Sequence, residues 1–204
     1  TGDPRFRHIA MLHADTAQKY FVRPDGSVNH IIEFNPETGE FVRAYGGQGY
    51  TEGSSWTRGQ GWGVYGFMIS YIHTGKQEYF DTAKRIAHYI MANIPDSGII
   101  PVDFRQPKEP AWEDSCAACV IANGLIEIAK HVPELEKDMY IRAAVKILKA
   151  IDKTRANWGT DCDSIVLNCT GAYHSPDHHF TMVYADFYFI EAVLKLRGND
   201  YFMW

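Results

Sequence analysis

The chain has 204 residues, the length of one domain or of part of a larger one, and it can bury roughly 70% of the surface its unfolded form exposes. A hydrophobic content of 46% excludes a disordered chain, and a net charge of −5 argues against a general nucleic-acid binder. An anionic ligand stays possible, because a single local Arg can receive one inside an acidic protein.

No signal peptide or membrane span is visible. Aromatic residues make up 14% of the chain, which suits carbohydrate binding and equally suits a large core. Cys116-Ala-Ala-Cys119 has a redox or metal spacing. It falls in an apolar helical run without a βαβ pattern, so it reads as buried small residues. No metal and no cofactor is expected.

In chain order, Thr1-Gly2-Asp3-Pro4 opens directly into a helix, which reads as a chain cut at a loop. Pro4 is tolerated in the first turn. Phe6, Ala10, Ala14 and Ala17 share one face of this helix, which ends near Phe21 before the turn Arg23-Pro24-Asp25-Gly26. Residues from Val28 to Phe34 and from Glu40 to Tyr45 predict a short hairpin around Asn35-Pro36-Glu37-Thr38-Gly39. Helices are predicted from about Ser55 to His73, from Lys76 to Asn93, from Asp114 or Ser115 to Lys130, from Leu135 to Lys153 and from Thr181 to Leu196. Ile99 to Phe104 is a short extended piece, and Thr154 to Asp177 is loop with short strands.

The helices repeat. The first, third and fifth are amphipathic and superpose, with Phe6, Tyr79 and Tyr140 corresponding, then Ala10, Ala83 and Ala144, then Ala14, Ala87 and Leu148. The second, fourth and sixth are apolar nearly all round, the mark of buried helices. The expected architecture is concentric, with outer and inner helices alternating and the loops that enter the inner helices gathered at one end. That end collects Gln48 to Arg58, Trp112-Glu113-Asp114 and Tyr173 to His179.

The stretch from Gln48 to Gly63 stands out. It offers two indoles (Trp56, Trp62), a guanidinium (Arg58) and two amides (Gln48, Gln60) among glycines and serines. Indoles take the apolar faces of sugars, Arg grips carboxylates with paired hydrogen bonds, and amides read hydroxyls. The stretch reads as a wall for an acidic sugar, or as a helix N-terminus whose Trp cluster plugs the core. Arg58 could instead pair with Glu52 or Asp114, and His30 could simply bond a backbone carbonyl. Trp56 and Trp62 are six residues apart and cannot share a helix face, so Trp62 is expected to be the one that packs. Asp114 reads as a helix cap and Asp186 as part of a structural network.

The block Trp56-Thr57-Arg58-Gly59-Gln60-Gly61-Trp62 resembles glycoside hydrolase family 88, the unsaturated glucuronyl hydrolases. Supporting pieces run the length of the chain: Thr1-Gly2-Asp3-Pro4-Arg5-Phe6, the Phe34 to Gly39 turn, Gln48-Gly49-Tyr50, and Ala185-Asp186-Phe187-Tyr188-Phe189-Ile190-Glu191-Ala192. The related unsaturated rhamnogalacturonyl hydrolases usually carry Asn where Gln60 stands.

The resemblance implies an all-α, six-hairpin (α/α)6 barrel of twelve helices. Residues 1–204 would be a single segment forming its C-terminal half. It also implies removal of a 4,5-unsaturated glucuronic acid from lyase-generated, glycosaminoglycan-type oligosaccharides. An Asp protonates C4 of the double bond, water adds at C5, and the resulting hemiketal opens. That Asp is implied to precede Thr1. By the same resemblance His30 supports the catalytic centre, Gln48, Trp56, Arg58 and Trp62 line the sugar subsite, and His174 and Ser175 lie on the outer-subsite loop. The expected partners are the unsaturated oligosaccharide and either the N-terminal half of the barrel or a second copy. Neither nucleic acid nor membrane is expected. The competing reading from another class is a non-catalytic carbohydrate-binding module.

Overall fold

A computed structural model describes residues 2–199; Thr1, the first residue of the Thr-Gly-Asp-Pro motif, lies outside them. Among the described residues, six helices and one hairpin appear in the predicted order. They are α1 (Pro4–Phe21), β1 (Ile31–Phe34), β2 (Phe41–Tyr45), α2 (Thr57–Thr74), α3 (Gln77–Asn93), α4 (Ser115–His131), α5 (Glu134–Thr154) and α6 (Val183–Leu196).

Local chemistry sets the boundaries. The Asp3 carboxylate accepts the Arg5 amide at 2.9 Å and caps α1, with Pro4 in the first turn. Asn35 Oδ1 accepts the amides of Glu37 and Thr38 at 2.8 and 3.2 Å, closing the turn between the antiparallel strands. Gly75, in the left-handed region at φ 72°, ends α2 by donating to Tyr71 O.

The helices form an α/α barrel arrangement, with α2, α4 and α6 inside and α1, α3 and α5 outside. Helix α4 is the most enclosed of them: every residue from Ser115 to Ala129 is buried. It packs on α2 closely because neither helix has bulk at the crossing. A Cβ on Gly124 would sit 2.7 Å from Val64 Cγ1, and one on Gly61 would sit 3.2 Å from Val120 Cβ.

The repeat is physical. Tyr79 on α3 donates to Asp15 on α1 at 2.8 Å, and Tyr140 on α5 bonds His88 on α3 at 2.8 Å. Aligning Ala14 with Ala87 makes Asp15 and His88 equivalent, so α3 and α5 are each tied to the preceding outer helix by the same pair of positions. Phe6 departs from this pattern. It was expected to match the fully buried Tyr79 and Tyr140, yet it is 62% exposed, and Ile9 and Leu12 of the same helix are also largely exposed. The first turns of α1 reach α2 through Arg7, whose Nη2 donates to Thr74 O at 3.2 Å, and leave these apolar side chains uncovered.

The expectation that all three inner helices are buried all round holds for α4 alone. Trp62 on α2, and Val183, Tyr184, Ile190 and Leu196 on α6, are exposed. Among the described residues, α4 packs closely along both other inner helices, whereas α2 and α6 meet each other only through side chains. The inner helices are joined in the core by a charged cluster. Lys195 Nζ lies 2.9 Å from Glu127 and 3.4 Å from Glu191, and donates to Tyr65 Oη at 2.8 Å. Tyr65 in turn donates to Glu191 at 2.8 Å.

Gly124→Ala is expected to destabilise the chain by about 1–2 kcal/mol. The 2.7 Å approach to Val64 places this site in the upper part of the overpacking range, about 2–3 kcal/mol, from which better helix propensity returns about 1. Urea unfolding checks this; an unchanged or raised midpoint would mean that α2 is free to move away from α4.

Candidate functional site

The N-termini of α2, α4 and α6 face one end, and three loops meet there. Loop 46–56 is folded around Asp103, whose buried carboxylate accepts Tyr50 N at 3.0 Å, Ser54 Oγ at 2.6 Å, Ser55 N at 2.9 Å and Arg105 N at 2.8 Å. A buried carboxylate this well supplied with donors fixes the loop's shape. Gly49 permits it, since a Cβ there would lie 2.6 Å from Asp103 Oδ2. Nothing around Asp103 in the sequence marks this role, because most of its donors come from about fifty residues away.

His30, just ahead of β1, accepts the Gln48 amide on Nδ1 at 2.9 Å, and its ring centroid lies 4.5 Å from that of Trp56. The alternative of a bond to a backbone carbonyl is replaced by this one. Gln48 passes the connection on: its Nε2 donates to Gly171 O at 2.6 Å and its carbonyl accepts Tyr173 N at 2.8 Å. Burial holds the His30 pKa below the ordinary value of 6.5.

Arg58 is only 3% exposed. Its Nε and Nη2 lie 2.9 and 2.8 Å from Asp114 Oδ2, Nη1 donates to Tyr184 Oη at 2.9 Å, and Nη2 also reaches Thr170 O. Of the two ion-pair partners considered for it, the fold selects Asp114. The paired grip on a ligand carboxylate expected from its residue type is therefore directed inward, and the Nη1 side, shared with the partly exposed Tyr184, faces the rim. Asp114 also caps α4 by accepting Cys116 N at 3.2 Å. Full burial pushes its pKa above the ordinary value, against the pull of Arg58.

The two indoles exchange their expected places. Trp56 is 7% exposed and belongs to a small cluster with Val102 and Tyr173, whereas Trp62 is 38% exposed. Trp56 precedes α2 and rolls under the rim loop between His30 and Arg58. Trp62 sits on α2 toward the start of α6, beside Tyr188 and Tyr184 at 5.5 and 6.3 Å. Gln60 is fully buried, with Nε2 on Ser55 Oγ at 2.8 Å.

On the third loop, exposed His174 bonds Tyr50 O through Nε2 at 2.6 Å, and half-buried Ser175 donates its amide to Ala172 O at 3.2 Å. His178 stacks on Trp112 at 4.0 Å, and His179 meets the edge of the same indole at 5.6 Å. Among the described residues no group of His, Cys, Asp and Glu could hold a metal ion. Asp186 accepts the amides of Ile165 and Val166 at 3.0 and 2.7 Å, the structural role expected of it. Thus His30, Gln48, Trp56, Arg58, His174 and Ser175 share one rim. Trp62 stands one step away and joins it through Tyr184. A cavity of about 260 Å³ adjoins His30 and Trp56, lined also by Arg23, Asn29, Glu52 and Ser54.

No family model matches the chain. It is 37% identical over 205 residues to the unsaturated glucuronyl hydrolase of Bacillus sp. (strain GL1), covering 97% of this chain and 54% of the relative. It is 30% identical over 210 residues to the unsaturated chondroitin disaccharide hydrolase of Streptococcus pneumoniae, covering 100% and 53%. The crystal structure of the Bacillus sp. GL1 unsaturated glucuronyl hydrolase superposes with a TM-score of 0.90 at 36% identity, over 97% of this chain and 54% of that one. The chain belongs to the unsaturated glucuronyl hydrolase family. A Streptococcus agalactiae unsaturated glucuronyl hydrolase mutant complexed with dGlcA-GalNAc6S matches with a TM-score of 0.88 at 27% identity, over 100% of this chain and 55% of that one. The chain spans about half the length of the curated relatives it matches, and the unsaturated glucuronyl hydrolase fold is present here as three inner and three outer helices.

Asp114→Ala strands the Arg58 guanidinium in the interior and is expected to cost about 3–5 kcal/mol. Denaturant unfolding measures it. A loss under about 1 kcal/mol, the range of exposed pairs, would show that the pair is solvated.

Proposed function

We propose that residues 1–204 supply the C-terminal half of an (α/α)6 hydrolase. In this reading the enzyme removes 4,5-unsaturated glucuronic acid from lyase-generated oligosaccharides of the glycosaminoglycan type. The observation that carries it is the convergence of Gln48, Arg58 and the 170–175 loop: Gln48 Nε2 and Arg58 Nη2 bond the consecutive carbonyls of Gly171 and Thr170. Residues more than a hundred positions apart in sequence are thereby held on one wall. Trp62 offers an exposed indole to a sugar face. Gln48, His174 and Ser175 supply polar groups around it, and Arg58 works mainly through Tyr184. The names of the matched relatives favour a glucuronate over an unsaturated rhamnogalacturonan product. The buried position of Gln60 means that any distinction it makes acts through Ser55 rather than by touching substrate.

The reaction in this reading is hydration of a vinyl ether. An Asp carboxyl gives its proton to C4 as the double bond is consumed. Water adds its oxygen to C5 and returns a proton to the carboxylate. The hemiketal then opens and releases the remaining sugar. The wall described here holds and orients the uronate during these steps, and the proton-transferring Asp belongs to the other half of the barrel. The open faces of the ring suit that partner. Phe6, Ile9 and Leu12 of α1 lie at one end. At the other, an apolar groove of about 480 Å³ runs between α5 and α6, beside Trp158 and Ile190. A complementary half fits the half-length match better than a second copy does.

Co-expressed with the N-terminal half of a relative, the chain is expected to abolish the absorbance of the conjugated double bond in an unsaturated chondroitin disaccharide. Alone it should leave that absorbance unchanged. Turnover by the chain alone would refute the division of labour, and calorimetric binding without turnover in the paired protein would favour a binding module. Trp62→Ala should weaken binding on the order of tenfold, the loss of about 1.4 kcal/mol for one stacking contact.

A further inference from the structure

His30 is an ionisable group in the rim whose hydrogen-bond partner fixes its chemistry. A backbone amide can only donate. With the Gln48 N–H on Nδ1 at 2.9 Å, that nitrogen keeps its lone pair, and the proton of the neutral ring sits on Nε2. Nε2 makes no hydrogen bond among the described residues. The neighbouring residue is fitted to the same edge of the ring, since a Cβ on Gly47 would lie 2.5 Å from His30 Nδ1. On its other side the ring meets Trp56.

We infer that His30 is a positioning residue for Gln48: as the Nε2–H tautomer it pins loop 46–56 against loop 171–174. This pinning does not rest on the sugar-site reading. Neutral His30 has no vacant nitrogen for a proton unless the Gln48 bond breaks. Protonation puts a hydrogen on Nδ1, so two donors then face each other and the Gln48 amide must leave. The bonds from Gln48 Nε2 to Gly171 O and from Tyr173 N to Gln48 O depend on that same backbone position. Acid would thus loosen a wall well away from the imidazole.

The surroundings leave this titration to His30 itself. From the segment before β1, Arg23 is engaged with Ser27 Oγ, Gly53 O and Ser54 O, and Asn29 is neutral. From β2 and the rim loop come Tyr45 and Glu52, which line the same cavity, and α2 is preceded by the neutral Trp56. Folded His30 holds its proton less tightly than the unfolded chain does, because of burial. Its contribution to stability is therefore complete above the ordinary value of 6.5 and is lost as pH falls below it.

Nitrogen-15 NMR of the whole chain tests the assignment without any sugar, so the result is independent of the proposed activity. At neutral pH the His30 ring should show a bare Nδ1 and a protonated Nε2. On acidification the Gln48 and Tyr173 amides should shift with the ring, at one common midpoint below 6.5. In His30→Asn, where a side-chain oxygen can replace Nδ1 as acceptor, the two amides should stay near their native positions and ignore pH. In His30→Leu they should be displaced at every pH. An Nδ1–H tautomer, amides indifferent to the ring's titration, or equal disruption by Asn and Leu would each overturn the inference. Should His30→Leu fail to fold, the wild-type titration and His30→Asn still decide it.

Discussion

Arg58 and Asp114 are taken out of water together at the head of two inner helices, and the end of the molecule that carries the site depends on them. Desolvating two charges costs several kcal/mol each, so such a pair survives only when its remaining donors and lone pairs are used. Here they are. Asp114 caps α4 and accepts Thr170 N at 3.4 Å, while Arg58 holds Thr170 O and the Tyr184 hydroxyl. One ion pair thereby fixes the first turns of α2 and α4, the loop through Thr170, and the start of α6.

Around that pair the rim is built as a polar scaffold with a small apolar plug. Asp103 gathers the backbone of loop 46–56, and Trp56 fills the space beneath with Val102 and Tyr173. Loops that carry function are held by rigid supports of this kind. The arrangement separates two tasks that the residue types alone would merge. Trp56 and Arg58 are buried in support of the wall, while Trp62 and His174 are exposed and Gln48 is half-buried.

The interior repeats one unit. Helices α3 and α5 are each tied to the preceding outer helix by a Tyr hydroxyl at the same place, and the buried Lys195 cluster joins α2, α4 and α6 at a distance from the rim. A ring of such units is stable only where both flanks of a hairpin are covered, as they are for α4. The exposed apolar faces of α1 and α6 have the composition of a core, not of a finished surface.

The amino-acid sequence determined the helices, their alternation between amphipathic and apolar, the hairpin turn, the capping by Asp114 and the gathering of three loops at one end. All of these follow from short-range periodicity and turn chemistry, which a linear reading can follow. The family was likewise legible, in a block of seven residues. Only the tertiary structure decided that Trp62 is open and Trp56 enclosed, that Arg58 turns inward, that Phe6 and much of α6 lie uncovered, and that Asp103 organises the rim. Each of those outcomes depends on which distant segment supplies a neighbour, and neither helical spacing nor residue type encodes that. A guanidinium is suited equally to a substrate carboxylate and to an aspartate fifty-six residues away; the packing of α2 against α4 makes the choice.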